Sequence, residues 1–193
     1  MGRARQRQPT IRRPKPQKGR PKAKADSPDE DWDLLRSNPI RYLEIANKAI
    51  MASPDDPKAY FRRHFAWEEI GAMELALDDL DKVATMWPNR PAVYGVRGCL
   101  LRKMQRFESA IADLDKLESM EPDRRLAGLF SLVRADCHAH LGNLEAALAD
   151  CANLDEDHWT PGFGGAPAGD RAQATAAIER KAREVRKRKV AGG

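Results

Sequence analysis

One interval constrains this chain more than any other feature. Pro54, Pro88 and Pro122 stand 34 residues apart, as do Tyr60 and Tyr94, Ala76 and Ala110, and Leu80 and Leu114. Asp79-Leu80-Asp81-Lys82 returns as Asp113-Leu114-Asp115-Lys116, each followed by Met-x-Pro. A period of this length, with two helices per unit, marks a helical solenoid. One such unit cannot bury its own apolar face, so several must stack. A third unit follows after a shift of 37, with Ala147 after Ala110. The three extra residues are expected between repeats, at 124–128, where a lengthened turn costs little.

The residues within each unit resemble the tetratricopeptide repeat. The first unit, 57–90, offers Tyr60, Arg63-His64, Trp67, Ala76, Leu80 and Pro88. The second, 91–124, offers Tyr94, Arg97-Gly98, Leu101, Ala110, Leu114 and Pro122. The third, 128–161, is degenerate: Ser131, Arg134-Ala135, His138, Ala147, Cys151 and Trp159. The resemblance spans 39–161, with 39–54 read as the second half of a leading repeat. It implies an all-α, right-handed α-solenoid of about three helix pairs, closed by a C-terminal capping helix. The alanines are small where the two helices of a unit cross, and the prolines end each second helix. Arg63, Arg97 and Arg134 share one register, and Asp79, Asp113 and Asp150 follow each by 16 residues. That spacing predicts an ion pair between the two helices of every repeat.

Around this core the sequence divides into four parts. Residues 1–28 carry almost nothing large and aliphatic, and 1–25 hold ten Lys/Arg and no acid. Such a segment cannot repay its ordering entropy and reads as a disordered basic tail. Its prolines forbid the amphipathic helix of a transit peptide, and it has no apolar run of a signal peptide. The helical domain is expected over 29–161, beginning with a short turn that inserts Trp32, Leu34 and Leu35. Asn38 and Pro39 then start a helix with an Ile40, Leu43, Ala46, Ile50 stripe. Residues 162–169, within the Gly/Pro-rich 160–169, read as a flexible linker. Over 170–193, Asp170 caps a helix with an Ala174, Ile178, Ala182, Val185 stripe, fraying into a basic Arg-Lys-Arg-Lys end. Residues 26–170 hold 16 basic and 27 acidic residues, so an acidic body lies between basic ends.

No apolar run is long enough to span a bilayer. Three cysteines, an odd number, read as reduced thiols. The expectation is a cytoplasmic monomer that needs no cofactor and does not act as an enzyme. No Ser/His/Asp or Cys/His set carries a recognisable catalytic signature. Cys137, His138, His140, Cys151 and His158 include soft ligands but no C-x₂-C pair, so zinc is set aside in favour of core packing. The Gly-rich loop lacks the strand and the Gly-Lys-Ser/Thr ending that phosphate binding needs.

Two surfaces remain. The resemblance implies that the first helix of each unit lines a concave groove, so Phe61, Phe65, Glu68, Glu69, Arg102 and Lys103 are the candidate partner-binding residues. Cys99, Asp136 and His140 are placed on the same face. Phe61 and Phe65 lie one turn apart and would anchor a partner protein or peptide if exposed, or else pack under residues 39–53 or Trp32. The family's carboxylate-clamping positions carry Phe, Gly and Leu, which argues against that ligand. The second surface is Lys18-Gly19-Arg20-Pro21-Lys22, which resembles an AT-hook. An extended Arg-Pro segment of that kind lies in a narrow minor groove. It makes a DNA- or RNA-associated adaptor the alternative function.

Overall fold

A computed structural model of the chain describes residues 32–120, 125–155, 159–160, 162 and 166–192. All of them belong to one unit, Asp31–Gly193. The tail over 1–28, with its AT-hook-like segment, and His158 lie outside the described residues.

The order of elements follows from where the chain permits a helix to start. Pro39, Pro57 and Pro91 occupy the first positions of α2 (Pro39–Ala52), α3 (Pro57–Glu69) and α5 (Pro91–Lys103). Proline is pre-set for that position and lacks only an N–H that would have had no helical partner. The Asn38 side chain accepts from the Arg41 N–H, and Asp56 from the Lys58 N–H. A six-residue α1 (Trp32–Ser37) precedes α2. The second helices are α4 (Met73–Met86), α6 (Phe107–Met120) and α8 (Leu144–Ala152), and α7 (Arg125–Leu141) begins the third pair. A last helix, α9 (Arg171–Ala191), packs on α7 and α8. The fold is an all-α solenoid of three helix pairs, α3/α4, α5/α6 and α7/α8. The half repeat α2 leads it and α9 caps it.

Ala76, Ala110 and Ala147 are fully buried where paired helices cross. Tyr60, Tyr94, Val83, Leu114, Leu117 and Val133 build the continuous core between repeats. Tyr94 also donates to the Pro88 carbonyl at 2.9 Å, which ties the interrepeat break to the next helix. The turn inside each pair needs a left-handed residue. Gly71 (φ 79°) and Gly142 (φ 78°) supply it in the first and third pairs, while Gln105 (φ 61°) does so in the second.

Four expectations are corrected. The extra residues of the third repeat are not in a longer interrepeat turn. They sit inside α7, which has 17 residues where α3 and α5 have 13. An added helical turn keeps every backbone hydrogen bond, whereas a longer loop would expose them. In α2, Ala46 is buried and Leu43 and Ile50 pack against the core as expected, but Ile40 is 54% exposed and Tyr42 takes the buried place at that end of the stripe. The segment 160–169 is not simply a flexible connector. Trp159–Thr160 (β1) pairs antiparallel with Gly169–Asp170 (β2), and Ala166 is buried in the main core. The basic C-terminal end does not fray after Val185. Helix α9 runs on to Ala191, begun by a capping box between Asp170 and Gln173 and anchored by Ala174, Ile178 and Ala182.

The predicted ion pairs form in all three repeats, each through two guanidinium nitrogens. Arg63 reaches Asp79 at 2.8 and 2.6 Å, Arg97 reaches Asp113 at 2.7 and 2.6 Å, and Arg134 reaches Asp150 at 3.0 and 2.7 Å. The remaining Nη1 of each arginine turns to the preceding second helix. It donates to Asn47 at 2.9 Å, to Asp81 at 2.7 Å, and to Asp115 and Glu118 at 2.7 and 2.5 Å. Asn47, Asp81 and Asp115 are themselves 34 apart. Each arginine therefore joins three helices across two repeats, and the register extends back into α2. This is what identifies α2 as a second helix whose own first helix is reduced.

Candidate partner-binding face

The first helices α3, α5 and α7, with α9, form one side of the solenoid and carry the candidate residues. Phe61 is half-buried, edge-on to His64 at 4.9 Å and to Phe65 at 5.7 Å. Phe65 is half-buried too. It meets the edge of Trp32 at 4.9 Å and packs with Leu35, Tyr42 and Ala66. Phe65 thus sits partly beneath α1, and Phe61 packs against the neighbouring core, so neither ring is fully open to solvent. An aromatic pair with edge-to-face geometry is worth about 0.5–1.5 kcal/mol beyond the area it buries.

The charged candidates engage one another across the helices. Glu68 on α3 pairs with Lys103 on α5. Arg102 on α5 reaches Asp136 on α7 at 2.7 and 2.5 Å. Lys181 on α9 takes the other oxygen of Asp136 and lies 3.1 Å from His140. Asp136 is wholly buried, and two cations are needed to repay its desolvation. The Phe107 ring stacks on His140 at 4.3 Å, interplanar 8°. Burial, with Lys181 close by, lowers the His140 pKa, so the imidazole is neutral at physiological pH. Glu69 remains exposed.

Sequence reading placed Arg102 and Asp136 on this face but missed that they pair. No period marks the pair, because the third repeat is offset by 37 and places Asp136 in register with Cys99 rather than Arg102. Lys181 is unmarked too, because α9 lies outside the repeat. Gly95, in the Phe61 register of the second repeat, is buried in the core between repeats. A Cβ there would lie 2.5 Å from the Phe130 ring and 2.7 Å from Leu117, so the glycine admits Phe130 from α7.

Cys99 and Cys137 are buried, and burial pushes both thiols up to about 12, far from the thiolate a nucleophile needs. Among the described residues no group of three or more His, Cys, Asp or Glu side chains could hold a metal ion. Among them, too, no helix is long and apolar enough to cross a membrane.

The architecture is of the tetratricopeptide type, a solenoid of helix pairs. Two solved structures are similar to it. "MamA MSR-1 C2" superposes with a TM-score of 0.51 at 20% identity, covering 81% of this chain and 72% of its own. "MamA RS-1 ArsTM double mutant" gives a TM-score of 0.59 at 20% identity, covering 81% of this chain and 89% of its own. At that identity the likeness is one of fold alone. No protein-family model and no curated protein sequence matches the chain.

Proposed function

We propose that the chain is a non-catalytic, monomeric protein-binding module that takes a partner peptide or helix in a concave groove lined by its first helices. One observation carries this reading. The positions that repeat are consumed by the fold, whereas the groove positions do not repeat. In successive repeats they read Phe65, Cys99, Asp136 and Glu69, Lys103, His140. One end of the face is therefore aromatic and the other is a buried charge network. Such asymmetry orients a bound chain, with Phe61 and Phe65 as apolar anchor and Glu68, Glu69, Arg102 and Lys103 setting polarity.

The test is selection from a random peptide library against the full chain, followed by mapping. Binding should fall at least tenfold in Phe65→Ala and Glu69→Lys and stay unchanged in Asp78→Lys and Glu108→Lys on the second helices. Peptides that respond only to the second-helix substitutions would refute the groove.

The alternative reading, a nucleic-acid-associated adaptor, is favoured by one observation. The basic end of α9 is helical, and Arg186, Lys187 and Arg188 are exposed along it. With Lys18, Gly19, Arg20, Pro21 and Lys22 it offers cations at both ends of the chain. A gel shift at low salt decides it: the adaptor reading requires binding to DNA or RNA that weakens steeply as salt rises.

A further inference from the structure

Helix α1 is six residues long and is joined to α2 by Asn38 alone. A helix of that length is not stable by itself. It is held where it is by a seat on α2 and α3, the two neighbours that a first helix of the leading half repeat would have. Leu35 is 3% exposed against Tyr42 and Ala66, and Leu34 lies beside it with Leu43 and Phe65. Trp32 is 40% exposed and meets the Phe65 ring edge-on. Behind Phe65, at 3.9 Å, lies the fully buried His64 ring, and neither of its nitrogens has a hydrogen-bond partner. The seat is apolar, sits at one end of the first-helix face, and leaves the Trp32 of the segment in it partly exposed.

We propose that the slot formed by Tyr42, Leu43, Phe65 and Ala66 is a docking site for a short amphipathic partner helix bearing an aromatic residue followed by leucines two and three positions on. Helix α1, reading Trp32-Asp33-Leu34-Leu35, occupies it as an internal copy of that ligand. This rests on the protein-binding reading above and names the class of partner. A partner helix of matching pattern gains the same contacts. Displacing α1 costs one buried leucine and one half-covered tryptophan, and an intermolecular ligand with a longer helix replaces both.

The experiment uses the full chain and, as probe, a fluorescent peptide of residues 30–38. Anisotropy titrations compare the natural sequence, the vacated variant Trp32→Ala/Leu35→Ala, and that variant with Phe65→Ala added. The vacated variant should bind the peptide at least tenfold more tightly than the natural chain, and Phe65→Ala should remove the gain. A peptide with alanine at its Trp and second Leu should not bind. Equal affinity for the natural and vacated chains, or indifference to Phe65→Ala, overturns the proposal. If the double variant loses helical circular dichroism, Trp32→Ala alone is titrated, with hydrogen exchange on the natural chain beside it. Amides of α1 should then exchange at least a hundredfold faster than those of α5, and equal protection overturns the proposal. Library peptides that map to Glu69 while the α1 peptide fails would sink the slot and leave the module reading intact. Capture of the α1 peptide with no library binder would do the reverse.

Discussion

His64 fills a position that is Gly98 in the second repeat and Ala135 in the third. Its ring is fully buried, and the Phe61 backbone approaches it without hydrogen-bond geometry. Burial pulls its pKa down to about 3. The unfolded chain takes up a proton near pH 6.5, while the folded chain does so only near 3. Stability is therefore lost as pH falls through that window, at about 1.4 kcal/mol per pH unit. His64→Leu should flatten the slope between pH 6.5 and 4.5 and add about 1 kcal/mol at pH 7 by removing an unmade hydrogen bond. Urea denaturation at several pH values measures both. Gln105 is the complementary case, a side chain in a turn where the other two pairs have glycine. Gln105→Gly should stabilise by about 1 kcal/mol, read as a shift in Tm. At this scale the caps were legible, since Asn38 and the Asp170/Gln173 box act through neighbours three residues away. The burial of His64 was not, because a lone histidine in a helix gives no sign of which side will be enclosed.

Helix pairs depend on what the arginines hold between them. Arg97 is mostly enclosed and its partner Asp113 more so. Removing the cation leaves a buried carboxylate unpaired, so Arg97→Ala should cost about 3–5 kcal/mol. The double variant Arg97→Met/Asp113→Leu should recover most of that loss. A recovery below 1 kcal/mol in the double-mutant cycle would mean that Asp81, and not Asp113, is the important partner. Gly95→Ala should also destabilise, by about 1–3 kcal/mol, through the clash with Phe130. The 16-residue Arg/Asp spacing was readable because both members recur three times. The second reach, to Asn47, Asp81 and Asp115, went unread although it shares the period. The long α7 escaped notice because its added turn preserves helical periodicity, and nothing in composition separates a longer helix from a longer loop there. The packing of Phe65 against Trp32 was one of two outcomes the sequence left open, because α1 is a short segment outside the repeat whose packing direction no periodicity determines.

In the molecule as a whole, stability passes from repeat to repeat through nearest neighbours. The arginines are part of that coupling, since each spans two repeats. Arg134→Ala should loosen α8 and α9 while leaving α3 and α4 nearly unchanged. Hydrogen exchange resolves this: amides of α8 should exchange at least tenfold faster, and uniform acceleration along the chain would exclude the local picture. The fold class was legible at this scale because a repeat states its architecture several times. The identity of a partner was not, because the residues proposed to recognise it occur once.

The three-helix arginine contact also has a mechanical meaning. The guanidinium is planar and rigid, so its two edges hold adjacent second helices at a separation set by its own width. A row of such struts along one flank works as stays do on one side of a flexible beam: it fixes how sharply the stack can bend. Curvature of the opposite flank, and with it the span of the groove proposed there, is then governed from a surface outside that groove. Shortening a strut, as Arg97→Lys does by trading a three-way fork for a single ammonium, would alter the arc of the stack before it unfolded anything.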